Sequence, residues 1–194
     1  MSQPPCDCPN TTVYNPNSTY RANVNFLLST LTSNATVATG FYNCTAGRDP
    51  PNIAYGLFLC RGDVTPNDCQ QSRSIVWYDK CLLRFSNQPI VLLSEQNIMI
   101  TSSNPETITD QVEKFKQLLG EMMNEIATEA SNDQSGKKFG TKQANFTALQ
   151  NLYGLVQCTP DLTGSDCNIC LQDAISTLTS CCDRKRGESF VSKR

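Results

Sequence analysis

Histidine is absent from the 194 residues. Its absence removes the side chain that most often serves as general base near neutral pH. Ser–His and Cys–His nucleophile systems are excluded with it, and a zinc site would have to be built without imidazole. The sequence also has no phosphate-cradling glycine loop, no kinase signature and no cofactor motif. No apolar run is long enough to cross a bilayer. The start, Met1-Ser2-Gln3-Pro4-Pro5-Cys6, has neither a basic n-region nor an apolar h-region, so a signal peptide is absent from the chain as given and a leader is expected upstream. Excess charge of either sign is missing too: 16 Lys plus Arg stand against 18 Asp plus Glu. With no basic stripe, a nucleic-acid partner is not expected, and the short cluster Arg184-Lys185-Arg186 reads as a solvated tail. Hydrophobic residues make up only 39% of the chain, which is little for cores that must hold without covalent help.

Covalent help is abundant. The 11 cysteines are Cys6, Cys8, Cys44, Cys60, Cys69, Cys81, Cys158, Cys167, Cys170, Cys181 and Cys182, a density suited to an oxidising compartment. Five N-x-[ST] sequons, at Asn10, Asn17, Asn34, Asn43 and Asn145, agree with passage through the secretory pathway. An odd number of cysteines leaves at least one thiol unpaired or bonded to another molecule.

The chain repeats itself. Tyr55-Gly56-Leu57-Phe58-Leu59-Cys60-Arg61-Gly62-Asp63-Val64-Thr65-Pro66-Asn67-Asp68-Cys69 aligns without gaps to Tyr153-Gly154-Leu155-Val156-Gln157-Cys158-Thr159-Pro160-Asp161-Leu162-Thr163-Gly164-Ser165-Asp166-Cys167, both cysteines included. A helical pattern precedes each copy. Tyr20, Val24, Leu27, Leu28 and Leu31 share one face in the first, with Asn17 or Ser18 able to cap the start. Val112, Phe115, Leu118, Leu119, Met122, Met123 and Ile126 form a wider stripe in the second, preceded by Asp110 and Glu113 in capping-box spacing. The Met pair reads as core rather than as a ligand groove. Residues 74–85, rich in β-branched and aromatic side chains, read as strand, further strand candidates lie in 89–100, and Ser102-Ser103-Asn104-Pro105 marks a joint. The fold class is α+β, each copy packing helices on an antiparallel sheet. The boundaries drawn are 1–101 for the first copy, 102–108 for a linker and 109–194 for the second.

Cys158-x8-Cys167-x2-Cys170 admits three readings: a metal site, a redox C-x-x-C pair and a structural disulfide frame. Cysteine density and the sequons favour the frame. With the flanking Tyr-Gly-Leu and Leu171-Gln172-Asp173-Ala174-Ile175, this spacing resembles the ginkbilobin-homologous (stress-antifungal) domain of land plants. Cys8-Pro9-Asn10-Thr11-Thr12, Gly40-Phe41-Tyr42-Asn43, the stretch from Trp77 to Asn87, and Phe139-Gly140 through Leu162 extend the resemblance to tandem ectodomains of cysteine-rich receptor-like kinases and cysteine-rich repeat secretory proteins.

The resemblance implies two helices on a sheet of about five strands per unit, and three disulfides per complete unit. It pairs Cys60 with Cys69 and Cys158 with Cys167. Ser72 stands where the first copy's third motif cysteine belongs, the second helix there reads as deleted, and Cys8 and Cys81 are left as orphans of two different bridges, able to bond to each other only if their Cα atoms lie within about 7 Å. The second copy reads as truncated before its last strands, and the pairing of Cys6, Cys44, Cys170, Cys181 and Cys182 is open. Functionally the resemblance implies a non-catalytic sensing or interaction module in the apoplast, with an extracellular protein or carbohydrate as partner. A mannose-binding antifungal lectin is the second reading, but the positions implied to hold its Asn, Arg and Glu carry Pro9, Ile75 and Ser86, which cannot fix a sugar hydroxyl the same way. A truncated, non-functional product is the third. Arg61-Gly62-Asp63 spells an adhesion tripeptide but reads more simply as a turn, and Glu121 and Glu125 read as a solvated helix face.

Overall fold

The structure is a computed structural model, and it describes residues 15–35, 39–65, 81–90, 99–181 and 184–192. The chain divides into two compact units, Met1–Leu93 and Ser94–Arg194.

The first unit opens with helix α1 (Thr19–Ser33). Ser18 is its N-cap, and its hydroxyl accepts from the Arg21 N–H at 3.2 Å, satisfying one of the donors a helix start leaves free. Strands β1 (Phe41–Ala46), β2 (Ala54–Cys60) and β3 (Cys81–Ser86) follow in an antiparallel sheet of order β1-β2-β3. Tyr20, Val24, Leu27 and Leu31 of α1 pack on Ala46, Ala54, Phe58 and Cys60, with Tyr42, Cys44, Cys81 and Leu83 at the margin. These sheet residues alternate along their strands, as one face of a pleated sheet must. Leu57 and Leu59 lie on the other face and are also buried. Phe85 sits opposite Gly56, on the α1 face, yet is 44% exposed.

The second unit contains β4 (Met99–Ser103), α2 (Val112–Asn132), β5 (Phe139–Asn145), β6 (Asn151–Gln157), α3 (Gly164–Cys181) and β7 (Glu188–Ser192). β5 pairs with β6 and β4 with β7, both antiparallel. The core joins Met122, Met123, Ile126, Ala127 and Ala130 of α2 to Val156, Cys158, Cys167, Leu171 and Ile175, so the Met pair is core.

One register serves both hairpins. Phe41, Cys44 and Ala46 face Leu59, Gly56 and Ala54; Phe139, Lys142 and Ala144 face Gln157, Gly154 and Leu152. At the glycine of each Tyr-Gly-Leu, side chains of the helix press against the strand. A Cβ on Gly56 would stand 2.7 Å from Leu27 Cδ2 and 2.9 Å from Leu31 Cδ1. One on Gly154 would stand 2.8 Å from Met122 Cε and 3.1 Å from Ile126 Cδ1. The repeated glycine is therefore a contact requirement.

Three expectations change. Asp110 and Glu113 form no capping box: the helix starts at Val112 behind Gln111, which has φ +53° and makes no side-chain cap. The first turn closes instead through the Phe115 N–H on the Gln111 carbonyl at 2.9 Å. Within 102–108, β4 ends at Ser103, the Asn104 carboxamide oxygen accepts from the Glu106 N–H at 2.9 Å, and Thr107 forms a bridge with Lys185. Arg184-Lys185-Arg186 is no free tail: the Ile108 N–H donates to the Arg184 carbonyl and the Arg186 N–H to the Glu106 carbonyl, at 2.7 and 3.1 Å. A strand, β7, follows the second copy's last helix. The expected strand over 74–85 is described from Cys81 onward as β3. The deletion read between Cys69 and Trp77 lies outside the described residues, as do Cys6, Cys8, Asn10, Cys69 and Cys182.

Candidate functional site

Cys158 joins Cys167 in a disulfide with Cα atoms 5.8 Å apart. The bond ties the end of β6 to the first turn of α3, which Thr163 caps: its hydroxyl accepts from the Asp166 N–H at 3.1 Å and donates to the Asp166 carboxylate at 2.7 Å. Both sulfurs are buried in the core. A loop of this length gives about 2–3 kcal/mol by chain entropy. Cys60, the equivalent of Cys158, is also disulfide-bonded. Cys44 and Cys81 are free, half-buried thiols, and burial pushes both above the usual thiol value, which suppresses the reactive thiolate. Cys8 lies outside the described residues, so a bond from Cys8 to Cys81 is not part of the described structure.

Among the described residues no group of three or more Cys, Asp or Glu is placed to hold a metal ion, and no helix is long and apolar enough to cross a membrane. Arg61 and Asp63 are spent on each other: Arg61 Nε donates to Asp63 Oδ1 at 2.6 Å, within a turn closed by the Val64 N–H on the Arg61 carbonyl. Glu125 pairs with Lys142 and Glu121 accepts from Gln117 at 2.9 Å, all at the surface. Of the three positions implied for sugar binding, Pro9 and Ile75 lie outside the described residues. Ser86 ends β3, and its hydroxyl accepts from the Gln88 N–H at 3.0 Å.

Beside Ser86 lies an open cleft of about 210 Å³ lined by Pro50, Pro51, Ile53, Tyr55, Asn87, Gln88 and Pro89. The Pro50–Pro51 peptide is cis. The cleft offers a phenol, apolar ring edges and two carboxamides, and no ionic group, so it suits a neutral, shallowly bound group. Sequence reasoning missed it, because its residues come from two separated segments, 50–55 and 87–89, and no spacing announces their meeting.

The sequons fall at different depths. Asn17, Asn43 and Asn145 are exposed. Asn34 is half-buried at the end of α1, with its Nδ2 donating to the Thr30 carbonyl at 2.9 Å.

The family profile described as salt stress response/antifungal matches twice, over residues 6–88 and 101–193. The chain belongs to this family. Curated relatives include cysteine-rich receptor-like protein kinase 25 of Arabidopsis thaliana, 41% identical over 95% of this chain and 30% of the relative, and cysteine-rich receptor-like protein kinase 6 of the same plant, 40% identical over 87% and 28%. The chain thus spans about a third or less of the length of these relatives. Among solved structures, the tandem DUF26 ectodomains of the Arabidopsis thaliana cysteine-rich receptor-like proteins PDLP5 and PDLP8 share the fold, with TM-scores of 0.69 and 0.73 at 22% and 18% identity. Each covers 95% of this chain, and this chain covers 92% and 90% of them. Two stress-antifungal units in tandem, each a helix-on-sheet α+β unit, are therefore the architecture of the chain.

Proposed function

We propose that the chain is a non-catalytic interaction or sensing module that works in the apoplast, as the extracellular part of a plant cysteine-rich receptor-like kinase or as a secreted repeat protein. The observation that carries this reading is the likeness of both units together, over 95% of the chain, to receptor-like kinases of the same family. The disulfide at Cys158 and Cys167 and the exposed sequons support an oxidising, glycosylating compartment. A protein ligand is favoured over a sugar, because Ser86 is engaged with the Gln88 N–H and offers no charge to a sugar hydroxyl. Mannose binding in the manner of an antifungal lectin is the second reading. The test is a paired screen of the secreted, oxidised protein: a glycan array beside a pull-down from plant cell-wall extract. Saturable capture of a protein that free mannose does not displace is the expected result. Selective retention on mannosides with no protein captured would put the lectin reading in its place.

A further inference from the structure

The two units guard the outer edge of the same hairpin differently. In the first, the Cys60 N–H bonds to the Gly40 carbonyl at 2.7 Å. By alternation from there, Tyr42, Cys44 and Ala46 turn their backbone groups to β2, and Phe41, Asn43 and Thr45 turn theirs outward. β1 is the edge of its sheet, and among the described residues no strand meets it on that side. The Thr39 hydroxyl takes the outward groups of Phe41, accepting from its N–H and donating to its carbonyl, both at 3.4 Å. Those of Asn43 and Thr45 meet no partner among the described residues, and both residues are exposed. Phe41-Tyr42-Asn43-Cys44-Thr45-Ala46 contains no charge, no proline and no glycine, and a short neutral strand of that kind pairs readily with its own copy. In the second unit β5 holds the same place, with the Cys158 N–H on the Lys138 carbonyl at 3.0 Å. There Lys142 stands in the place of Cys44 and pairs with Glu125 of α2, and Gly140 stands in the place of Tyr42. A charge turned in toward the helix and a weak strand former keep a foreign strand off that edge.

β1 has neither device, but it carries Asn43-Cys44-Thr45, a sequon laid along the edge itself. We propose that an N-linked glycan on Asn43 is the edge guard of the first unit, and that without it two copies of the chain pair through β1. Tyr42, Cys44 and Ala46 lie on the side that packs against α1, so Asn43 and Thr45 project from the opposite face. When two β1 strands pair antiparallel about Asn43, the two Asn43 side chains stand about 4.5–5.5 Å apart on that face. A branched sugar on each excludes the pair and leaves the β1–β2 ladder untouched. The sugar is added to the unfolded chain. Asn43 Nδ2 bonds to the anomeric carbon of an oligosaccharide carried on a lipid pyrophosphate, the lipid pyrophosphate leaves, and the amide gives up one proton. The guard rests on passage through a glycosylating compartment and not on the identity of the ligand, so it and the cell-wall screen fail separately.

The test compares the full, oxidised chain, secreted from plant cells behind a supplied leader, with its variants Asn43→Gln, Thr45→Ala and Asn43→Lys. The parent should carry a glycan at Asn43. Asn43→Gln and Thr45→Ala both destroy the sequon, the second with Asn43 kept. Each should self-associate at least tenfold more tightly than the parent in sedimentation equilibrium, with amide exchange at positions 43 and 45 slowing as concentration rises. Asn43→Lys also lacks the glycan but places a charge on the edge, and it should return to the weak association of the parent. The proposal is overturned by a parent bare at Asn43, or by unchanged association of both sequon variants. It is equally overturned by association that runs through intermolecular disulfides or leaves exchange at positions 43 and 45 unaltered, and by Asn43→Lys associating as tightly as Asn43→Gln.

Discussion

Cys60 and Cys81 face each other across β2 and β3, one in a disulfide and the other a free thiol. The Cys60 N–H is directed at Gly40, so the pair is of the non-hydrogen-bonded kind, whose Cα atoms sit about 4.5 Å apart and whose side chains are closest. That separation is within disulfide range. Burial holds the Cys81 thiol above its usual value, so the attacking thiolate is scarce at neutral pH. The sign follows from the direction. The folded state keeps its proton where the unfolded chain has lost it, so stability falls as pH rises beyond about 9, until the folded thiol itself ionises. Incubation of the native protein at increasing pH, acid quench and peptide mapping should show a Cys60–Cys81 peptide growing with pH. Its sulfur balance is simple: the Cys81 thiolate bonds to Cys60, and the former partner of Cys60 leaves as thiolate. Unchanged linkage up to pH 10 would mean the two sulfurs do not reach one another.

Gly56 and Gly154 occupy one position in two copies, yet substitution should cost them differently. Gly56→Ala presses a methyl into Leu27 and Leu31, branched side chains that are both fully buried. Overpacking of this kind costs about 1–3 kcal/mol. Gly154→Ala meets Met122 Cε and Met123 Sδ at 2.8 and 3.2 Å, the ends of flexible thioethers that can swing aside. Ile126 Cδ1 at 3.1 Å limits how far they go. Hydrogen exchange of each unit in the two variants should show the larger loss of protection for Gly56→Ala. Equal losses would mean that the methionines are as confined as the leucines.

This asymmetry also shows how far the sequence could be read. The Tyr-Gly-Leu repeat located β2 and β6, and the spacing of Tyr20, Val24, Leu27 and Leu31 located α1, because a buried face imposes a period on the residues that build it. β5 was not legible as a strand. Gly140, Lys142, Gln143 and Asn145 are poor strand formers, and the segment is held by pairing with β6 and by close contact with α2, where a Cβ on Gly140 would stand 2.8 Å from the Ile126 carbonyl. The pairing of β4 with β7 was hidden for another reason: the two strands lie on either side of 84 intervening residues, and neither is long or apolar enough to announce a partner. Of the candidate sites, the Cys158–Cys167 bridge is local and was readable from spacing together with the family resemblance. The Tyr55 cleft is tertiary, and no local pattern encodes it.

Asp133 holds the turn between α2 and β5. Burial pushes its carboxyl up, but hydrogen bonds from the Ser135 hydroxyl and the backbone N–H groups of Ser135, Lys138 and Lys137 outweigh that and leave it below the usual value. The Lys138 N–H donates to Oδ2 at 2.8 Å, and Lys138 has φ +46°, where a non-glycine residue needs support. A depressed carboxyl contributes stability that is present above the unfolded value of about 3.8 and lost as pH falls through the folded one. Asp133→Ala should therefore lower stability by about 1 kcal/mol at neutral pH, as loss of an equivalent cap does, and the difference from the parent should shrink below pH 4. Urea titrations at pH 7 and pH 3 measure both. A gap that stays constant with pH would assign the effect to shape and not to charge.

Glycan occupancy should follow the hydrogen bonds at the sequons. The transferase acts on a chain not yet folded, so depth in the final structure decides whether a modified chain can fold, not whether Asn is reached. Asn17, Asn43 and Asn145 are exposed, and a glycan there extends into solvent. Asn34 donates its Nδ2 to the Thr30 carbonyl, and its own N–H meets the Thr30 and Leu31 carbonyls, while Ala35 beside it is buried. A glycan on Nδ2 would crowd the side-chain contact to Thr30 beside the backbone bonds that close the last turn of α1. Secreted from plant cells behind a supplied leader, the protein should carry glycans at Asn17, Asn43 and Asn145, with Asn34 bare in the secreted fraction. Asn34→Gln should leave the glycan mass of the secreted protein unchanged, whereas Asn17→Gln should lower it by one glycan. Site mapping by deglycosylation in heavy-oxygen water reads each position. Full occupancy of Asn34 in well-folded secreted protein would show that the end of α1 opens to accommodate it, and that the Thr30 contact contributes little.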